Sequence, residues 1–246
     1  MADRAAPWSQ IRTELATAQK SNRNAPAYSR WINRPIGRIF AATAFKLGMT
    51  PNQVTGVSAL FTFTGIGLLA AGTASWGLAV AVAALLVIGY ALDSADGQVA
   101  RLRGGGSPAG EWLDHMVDAV KISSLHLAVA VFWFRNLDGL PQLTTLIPLV
   151  YAIEAAVWFF GFILTDLVLR ERGAKQLRLA HQEAPPSAFA SLLGIPGDYG
   201  FLALSMILIG WLPGWRVVYS LLLVANLGIL AIQSVRWYRR VLTSTS

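Results

Sequence analysis

Long apolar stretches run through most of the chain, and short polar segments separate them. We predict six membrane-spanning helices, over residues 51–71, 77–100, 108–134, 143–169, 199–212 and 215–237. Most of these stretches have roughly the 20 apolar residues that a helix needs to cross a bilayer. A hydroxyl residue followed by proline, at Thr50-Pro51 and Ser107-Pro108, favours a helix start before the first and third stretches. The pattern predicts an all-α polytopic membrane protein.

The residues before the first span follow a different pattern. Arg30, Arg34 and Arg38 recur every four residues, with apolar residues between them. This spacing is typical of an amphipathic helix, here over residues 28–47, that lies in the membrane interface. The alternative is a soluble helix packed on the domain. Pro35 either starts this helix or kinks it.

The first 25 residues are polar, and we expect them to be loosely held apart from a short helix around residues 8–20. They lack the short apolar run of a signal peptide, so no cleavable leader is predicted. We divide the chain into an N-terminal segment (1–49), a six-helix membrane domain (50–240) and a C-terminal tail (241–246).

Composition agrees with a membrane protein. The chain is 54% hydrophobic and 13% charged, whereas about a quarter of the residues in soluble domains are charged. It has no Cys and three His, which excludes a disulfide framework and thiolate chemistry and leaves no zinc-type ligand cluster. The net charge of +7 is typical of membrane-flanking loops and gives no indication of a nucleic-acid partner.

The distribution of Lys and Arg predicts the orientation. With the N-terminus in the cytosol, 17 of the 20 Lys and Arg residues fall in cytosolic segments, and Arg135 and Arg216 fall in outer loops. An excess of positive charge marks the cytosolic side of membrane proteins. We therefore expect a multi-pass protein of the cell (inner) membrane, whose second span ends and third span begins on the cytosolic side.

Residues 93–118 concentrate the acidic groups, because five of the chain's 13 acids lie in this stretch. Asp93 and Asp96 are three residues apart, and Asp114 and Asp118 are four apart, so each pair projects from one face of a helix. A short glycine-rich turn joins the two helices, which predicts that they are antiparallel neighbours. The four carboxylates then meet at one level, just inside the membrane boundary.

Four carboxylates just inside the membrane boundary need their negative charge to be neutralised, because burying a charge is costly and like charges repel. Protonation of some of them is one solution, and binding of divalent metal is the other. Carboxylate oxygens favour Mg²⁺, Mn²⁺ or Ca²⁺ over zinc or copper, and two divalent ions would balance four carboxylates. Sites with two such ions usually act on phosphate.

The neighbouring residues suit a phosphate ligand. Gly97 allows close approach to the helix, Ala100 is also small, and Arg101 offers a planar fork to phosphate oxygens. The start of the third helix adds favourable partial charge for an anion. Helix packing would explain Gly97 alone, and a membrane-boundary anchor would explain Arg101 alone. Their combination indicates a phosphate site.

These residues form one continuous motif. It reads Asp93-x2-Asp96-Gly97-x2-Ala100-Arg101-x8-Gly110-x3-Asp114-x3-Asp118. In all eight residues and every spacing the motif resembles the signature of the CDP-alcohol phosphotransferase (CDP-alcohol phosphatidyltransferase) family. The six-span layout is similar as well, so the resemblance covers most of the chain from about residue 28.

The resemblance implies a reaction and a set of ligands. In this family an acceptor hydroxyl attacks the phosphate of a CDP-linked alcohol, often CDP-diacylglycerol, and CMP leaves. The implied ligands of two Mg²⁺ or Mn²⁺ ions are Asp93, Asp96, Asp114 and Asp118. The implied CDP-binding residues are Asn52, Asp96, Gly97, Ala100, Arg101 and Gly110. Many members are homodimers, and at least one substrate is a lipid.

The last third of the motif bears on the branch of the family. Residues 110–115 are similar to the Gly-Glu-x-x-Asp-His segment of choline and ethanolamine phosphotransferases. Glu111 and His115 are four residues apart, so the carboxylate can orient the imidazole. An oriented neutral His near the phosphate is a candidate general base for the acceptor hydroxyl. Asp118 is the competing base, and a structural place for His115 in a polar pocket is the third alternative.

Other polar residues are candidates for contact with the acceptor or a lipid. Lys121 lies one turn beyond Asp118 and either contacts the acceptor or pairs with an acid. Glu154 lies in the middle of the fourth span, where an acid is a functional candidate. The basic residues Arg170, Arg172, Lys175 and Arg178 either follow the positive-inside pattern or form a pocket for a phosphorylated acceptor, as in the inositol-phosphate branch.

The predicted function is metal-dependent transfer of a substituted phosphate from CDP-diacylglycerol or a CDP-aminoalcohol to an acceptor hydroxyl, in phospholipid biosynthesis. An inositol-phosphate-type phosphatidyltransferase that uses CDP-diacylglycerol is the alternative within the family. A cation- or proton-coupled transporter is the alternative from another class, disfavoured because the acids cluster at one membrane edge. An inactive relative serving as a scaffold is disfavoured by the complete motif.

Overall fold

The computed structural model describes residues 4–17, 26–171, 191–192 and 194–243, which form helices and connecting turns without a strand. The helices are α1 Trp8–Thr17, α2 Arg34–Lys46, α3 Pro51–Ala71, α4 Trp76–Leu102, α5 Pro108–Arg135, α6 Leu146–Glu171, α7 Tyr199–Ser205 and α8 Leu212–Thr243. A π-helical turn, Ser29–Asn33, precedes α2. Short 3₁₀ segments occupy Gln142–Thr145, Ile195–Gly197 and Met206–Trp211.

Five helical stretches are long and apolar enough to cross a membrane. The last of them, Tyr199–Thr243, has 45 residues, about twice the length that one crossing needs. It folds back on itself, because Asn226 Nδ2 donates a hydrogen bond of 2.7 Å to the carbonyl of Pro196. Its two arms correspond to the predicted fifth and sixth spans. The protein is an all-α polytopic membrane protein, as predicted.

Side-chain caps set the starts of the membrane helices. Thr50 and Gln53 form a reciprocal capping box at the start of α3. The Ser75 hydroxyl accepts a hydrogen bond from Leu78 N at the start of α4, and the Ser107 hydroxyl accepts one from Gly110 N at the start of α5. Each cap satisfies a backbone N–H that the first helical turn leaves unpaired. The two predicted hydroxyl-proline starts are confirmed.

A glycine contact holds α3 tightly against α4. A Cβ added at Gly89 would lie 2.2 Å from Thr62 Oγ1 and 3.1 Å from Thr62 N. The absence of that Cβ allows the Ser58 hydroxyl to donate a 2.8 Å hydrogen bond to the Gly89 carbonyl. Close approach through small residues, with hydroxyl hydrogen bonds between helices, is the packing that membrane helices favour.

The membrane helices follow one another around the bundle in the order α4, α3, α5, α6, α8 and α7, and α7 returns to α4. The predicted pairing of α4 with α5 is made through side chains, because Lys121 of α5 lies 3.0 Å from Asp93 of α4. Helix α3 packs against both of them. The gap that remains between α4 and α5 is where their acidic side chains meet.

Aromatic side chains fill the bundle interior beyond the acids. His126, Tyr151, Trp133, Trp215 and Tyr219 are all buried and pack ring against ring. His126 Nδ1 shares a 2.6 Å hydrogen bond with the Tyr219 hydroxyl. This pairing satisfies two polar groups in the apolar interior and joins α5 to α8.

The N-terminal segment departs from expectation in its first helix. Ile11 and Leu15 of α1 are wholly buried in a cluster with α2 and α4, so α1 is packed and not loosely held. Burying two large aliphatic side chains stabilises this contact by a few kcal/mol. The predicted helix ends at Thr17 in the described part of the chain, and residues 18–25 lie outside it.

Helix α2 combines the two predicted alternatives. On one side Gly37 lies against α4, where an added Cβ would be 3.0 Å from Ser94 Oγ. On the other side Trp31, Ile32 and Ile39 are exposed, as expected for a helix at the membrane interface. Pro35 follows the π-helical turn within a continuous helical path, so the turn accommodates the proline.

Candidate active site

Asp96 is held at the bottom of the site by two hydrogen bonds. Its side chain is buried, Thr55 Oγ1 donates to Asp96 Oδ2 at 2.6 Å, and the Gly97 backbone N–H donates to Asp96 Oδ1. Thr55 lies on α3, one turn after Asn52, so the helix packed on α4 supplies the donor. These bonds orient the carboxylate and offset part of the cost of burying it.

The four aspartates of the motif come together across the gap between α4 and α5. Asp96 experiences the charges of Asp93 and Asp114, and Asp118 experiences the same two charges. Lys121 Nζ lies 3.0 Å from Asp93 Oδ1 and also forms an ion pair with Asp118. The carboxylates therefore converge from two helices, as the spacing predicted.

A compact group of potential metal ligands lies on α5. Asp114, His115 and Asp118 each place one ligand atom within 4.8 Å of the others. His115 Nδ1 is buried and has no hydrogen-bond partner among the described residues. A nitrogen donor in this position was missed at the level of sequence, where only the carboxylates were considered as ligands.

Glu111 pairs with Arg170 and does not form a hydrogen bond with the imidazole of His115. Glu111 Oε1 lies 3.9 Å from His115 Nε2, which is longer than a hydrogen bond. It lies 2.8 Å from Arg170 Nη1, and Arg170 Nε lies 2.6 Å from Asp166 Oδ2. The structure therefore presents Glu111, Arg170 and Asp166 as one ion-pair network at the mouth between α5 and α6.

The small residues of the motif leave room beside Arg101. A Cβ added at Gly97 would meet only the Arg101 guanidinium, at 3.5 Å, among the described neighbours. Asn52 Oδ1 lies 3.2 Å from the position of a Cβ at Gly110, so Asn52 and Gly110 are adjacent. Ala100 is buried on the same helix as Gly97. The predicted CDP-binding residues thus lie next to the acids, between the starts of α3 and α5.

Two further residues beside this surface were missed by the sequence analysis. Arg34 of α2 is close enough to Arg101 for their positive charges to interact. Arg103 Nη2 donates 2.7 Å hydrogen bonds to the carbonyls of Gly48 and Met49. Arg103 thereby fixes the chain just before the α3 cap. The four-residue spacing of Arg30, Arg34 and Arg38 was the available signal for Arg34.

Two cavities border the acids. A groove of about 530 Å³ runs between α5 and α6, below His115 and the Glu111–Arg170 pair, and apolar side chains line most of it. We call it the α5–α6 groove. A central cavity of about 230 Å³ is bounded by Asp93, Asp118 and Lys121 and by aromatic rings, among them Tyr199.

The candidate acceptor residues lie in three different surroundings. Lys121 faces Asp93 and Asp118, and Arg170 lies at the mouth of the α5–α6 groove. Glu154 is buried on α6 and lines neither the groove nor the central cavity. Arg172 lies outside the described residues, as do Lys175 and Arg178. A substrate contact for these residues stays a prediction.

The donor set fits a divalent metal ion. Four carboxylates meet here, and Lys121 and Arg101 are cations beside them in the described part of the chain. Oxygen-rich sites with excess negative charge bind Mg²⁺, Mn²⁺ and Ca²⁺, and Mn²⁺ also accepts an imidazole nitrogen. Asp114, His115 and Asp118 could hold such an ion.

Comparison with known proteins identifies the relationship. The chain is 35% identical over 126 residues to a phosphatidylinositol phosphate synthase of Corynebacterium glutamicum. That match covers 51% of this chain and 53% of the relative, so it spans about half the length of the relative. The family model for CDP-alcohol phosphatidyltransferases matches residues 48–232, which include α3 to α7 and most of α8. The chain therefore belongs to the CDP-alcohol phosphatidyltransferase family.

Proposed function

We propose that the protein transfers a substituted phosphate from a CDP-linked alcohol to an acceptor hydroxyl and releases CMP, in phospholipid biosynthesis. One observation carries this proposal: the carboxylates of the motif converge across the gap between α4 and α5, beside the open space at Gly97 and Arg101. Enzymes of this family are generally dependent on divalent metal. The cell membrane and a cytosol-facing site are part of the proposal, supported by the distribution of Lys and Arg.

The metal-binding residues in this proposal are Asp93, Asp96, Asp114 and Asp118, with two Mg²⁺ or Mn²⁺ ions. When bound, such ions polarise the phosphoryl oxygens and neutralise the leaving CMP. His115 lies beside Asp114 and Asp118, and a metal bound to its Nδ1 atom would exclude that nitrogen as a base. Thr55 orients Asp96 through their 2.6 Å hydrogen bond.

The nucleotide is proposed to bind between the starts of α3 and α5. Gly97 and Gly110 have no side chain that would fill this space, and the side chain of Ala100 is small. The Asn52 amide lies beside Gly110, where it can bind polar groups of the nucleotide, and Arg101 can pair with phosphate oxygens. Arg34, whose charge reaches Arg101, increases the attraction of this surface for an anion.

The acceptor hydroxyl must lose its proton as its oxygen attacks phosphorus. The new oxygen–phosphorus bond forms while the bond from phosphorus to the CMP oxygen breaks, and CMP leaves with the electron pair. We propose His115 as the base that accepts the proton, since its Nδ1 atom has no partner among the described residues. Asp118, the competing base, is already paired with Lys121.

Two pairs of substrates are compatible with the site. The Corynebacterium glutamicum relative favours an inositol-phosphate-type reaction that uses CDP-diacylglycerol. The Gly110–His115 segment favours an aminoalcohol, and the engagement of Arg170 by Glu111 and Asp166 removes one cation from the recognition of a phosphorylated acceptor. In either case the apolar α5–α6 groove suits an acyl chain of the lipid.

A donor-by-acceptor panel on the purified protein tests the proposed function. CDP-diacylglycerol and CDP-choline are each combined with inositol phosphate, glycerol phosphate and diacylglycerol, and CMP release is measured with Mg²⁺. Release with one pair supports the proposal and identifies the substrates. Absence of CMP release with every pair in properly folded protein would contradict it. A homodimer, common in the family, is tested on the same sample by light scattering.

A further inference from the structure

Lys121 is a buried cation among the acidic side chains of the site. Its side chain is 6% exposed, and its Nζ atom lies 3.0 Å from Asp93 Oδ1 on α4 and pairs with Asp118 on its own helix. The ring of Tyr199, 5.4 Å away, covers the ammonium from a third direction. Lysine is almost never so deeply buried without charged partners, so these two acids account for its position.

The ammonium contacts two of the proposed metal ligands, Asp93 on α4 and Asp118 on α5. The like charges of Asp93 and Asp118 repel each other, so a cation between them allows the two carboxylates to lie close together. A lysine ammonium and a divalent ion repel each other strongly at such distances. Both therefore cannot hold the same carboxylate oxygens at once.

We propose that Lys121 is a built-in counterion that holds Asp93 and Asp118 together before metal arrives and competes with the metal for them. This inference rests on the proposed metal-dependent function. The displaced ammonium would stay in the central cavity, which Lys121 lines together with both acids. There a phosphate of the bound donor is an available partner, so donor binding and metal binding should strengthen each other.

The test measures binding of Mn²⁺ to the purified full chain in detergent, by electron paramagnetic resonance of the free ion. We expect Lys121→Met to bind at least one Mn²⁺ about tenfold or more tightly than the unmodified protein, because a competing charge is removed. Lys46→Met is the matched control. Lys46 donates to the Ala6 carbonyl at 2.9 Å and lies over the Trp8 ring, so its loss removes the same charge outside the acid cluster.

A second readout separates competition from simple structural support. In EDTA the melting temperature of Lys121→Met should fall, and Mn²⁺ should raise it by more than in the unmodified protein. Lys121→Gln, which keeps hydrogen-bonding capacity without charge, replaces the methionine variant if that variant does not fold. Mn²⁺ affinity equal to or weaker than that of the unmodified protein would overturn the inference alone. Absence of Mn²⁺ binding in every variant and in the unmodified protein would overturn the proposed metal site as well.

Discussion

Thr55 shows how one hydroxyl supports the acids of the site. Its hydroxyl on α3 donates a hydrogen bond to Asp96. This directional contact orients the carboxylate, which attraction between charges does not do. We predict that Thr55→Val lowers turnover by about 10- to 100-fold, the usual cost of losing an orienting hydrogen bond beside a metal ligand. Thr55→Ser, which keeps the hydroxyl, should retain most of the activity. Equal activity of the valine and serine variants would show that this bond is dispensable.

His115 is the residue whose role the structure makes most testable. If it is the base, His115→Ala should lose about 10²- to 10⁴-fold in turnover while CMP binding, measured by calorimetry, stays nearly unchanged. Glu111→Gln should cost less, because Glu111 is engaged with Arg170 and lies 3.9 Å from the imidazole. If CMP affinity collapses together with turnover, His115 is a binding or structural group instead.

The sequence predicted which residues belong to the site better than it predicted the side chains that they contact. The positions of the four aspartates followed from helical spacing, because spacing decides which face a residue occupies. The pairing of Glu111 with Arg170 did not follow, since these residues belong to helices whose packing the pattern does not specify. Thr55 was missed for the same reason: nothing in its local sequence distinguishes it from the other hydroxyls of α3.

Helix α3 supports both acid-bearing helices. Gly89 on α4 allows α3 to lie close, and α3 also packs against α5. We predict that Gly89→Ala destabilises the protein by about 1–3 kcal/mol through overpacking against Thr62. Thermal unfolding in detergent measures this as a lower melting temperature.

Gly67 provides the matched control on the partner helix. A Cβ at Gly67 meets nothing within 4 Å among the described residues, so Gly67→Ala should leave stability unchanged or slightly raise it, because alanine is the better helix former. A melting temperature for Gly89→Ala as high as that of Gly67→Ala would show that the contact with Thr62 relaxes at little cost.

The elements themselves were largely predictable, because apolar length and capping residues are local properties. The caps at Thr50 and Ser107 are confirmed. The close burial of α1 was not foreseen, since Ile11 and Leu15 form only a short apolar face and their partners lie far along the chain. The closeness of neighbouring helices was the weakest inference, because a short turn does not specify how tightly α4 and α5 pack and the sequence did not indicate that α3 packs against both.

For the whole molecule, the orientation in the membrane is the property to test. The chain has no cysteine, so single cysteines can be introduced without background. Ala74→Cys, between α3 and α4, should react with an impermeant maleimide in intact cells. Gly106→Cys, between α4 and α5, should react only after the membrane is opened, because the Lys and Arg distribution predicts a cytosolic location for this end. The reverse labelling pattern would contradict the proposed location of the site.

We propose that the converging aspartates hold a divalent metal that is used to displace CMP. The most direct test measures CMP release from the active donor and acceptor pair with Mg²⁺, with EDTA, and with Asp114→Asn in Mg²⁺. Asn keeps the shape of Asp and removes one charge from the cluster. We expect CMP release only in the first condition, and we expect it to return in the second when Mg²⁺ replaces EDTA. Metal-independent release, or full activity of Asp114→Asn, would contradict it.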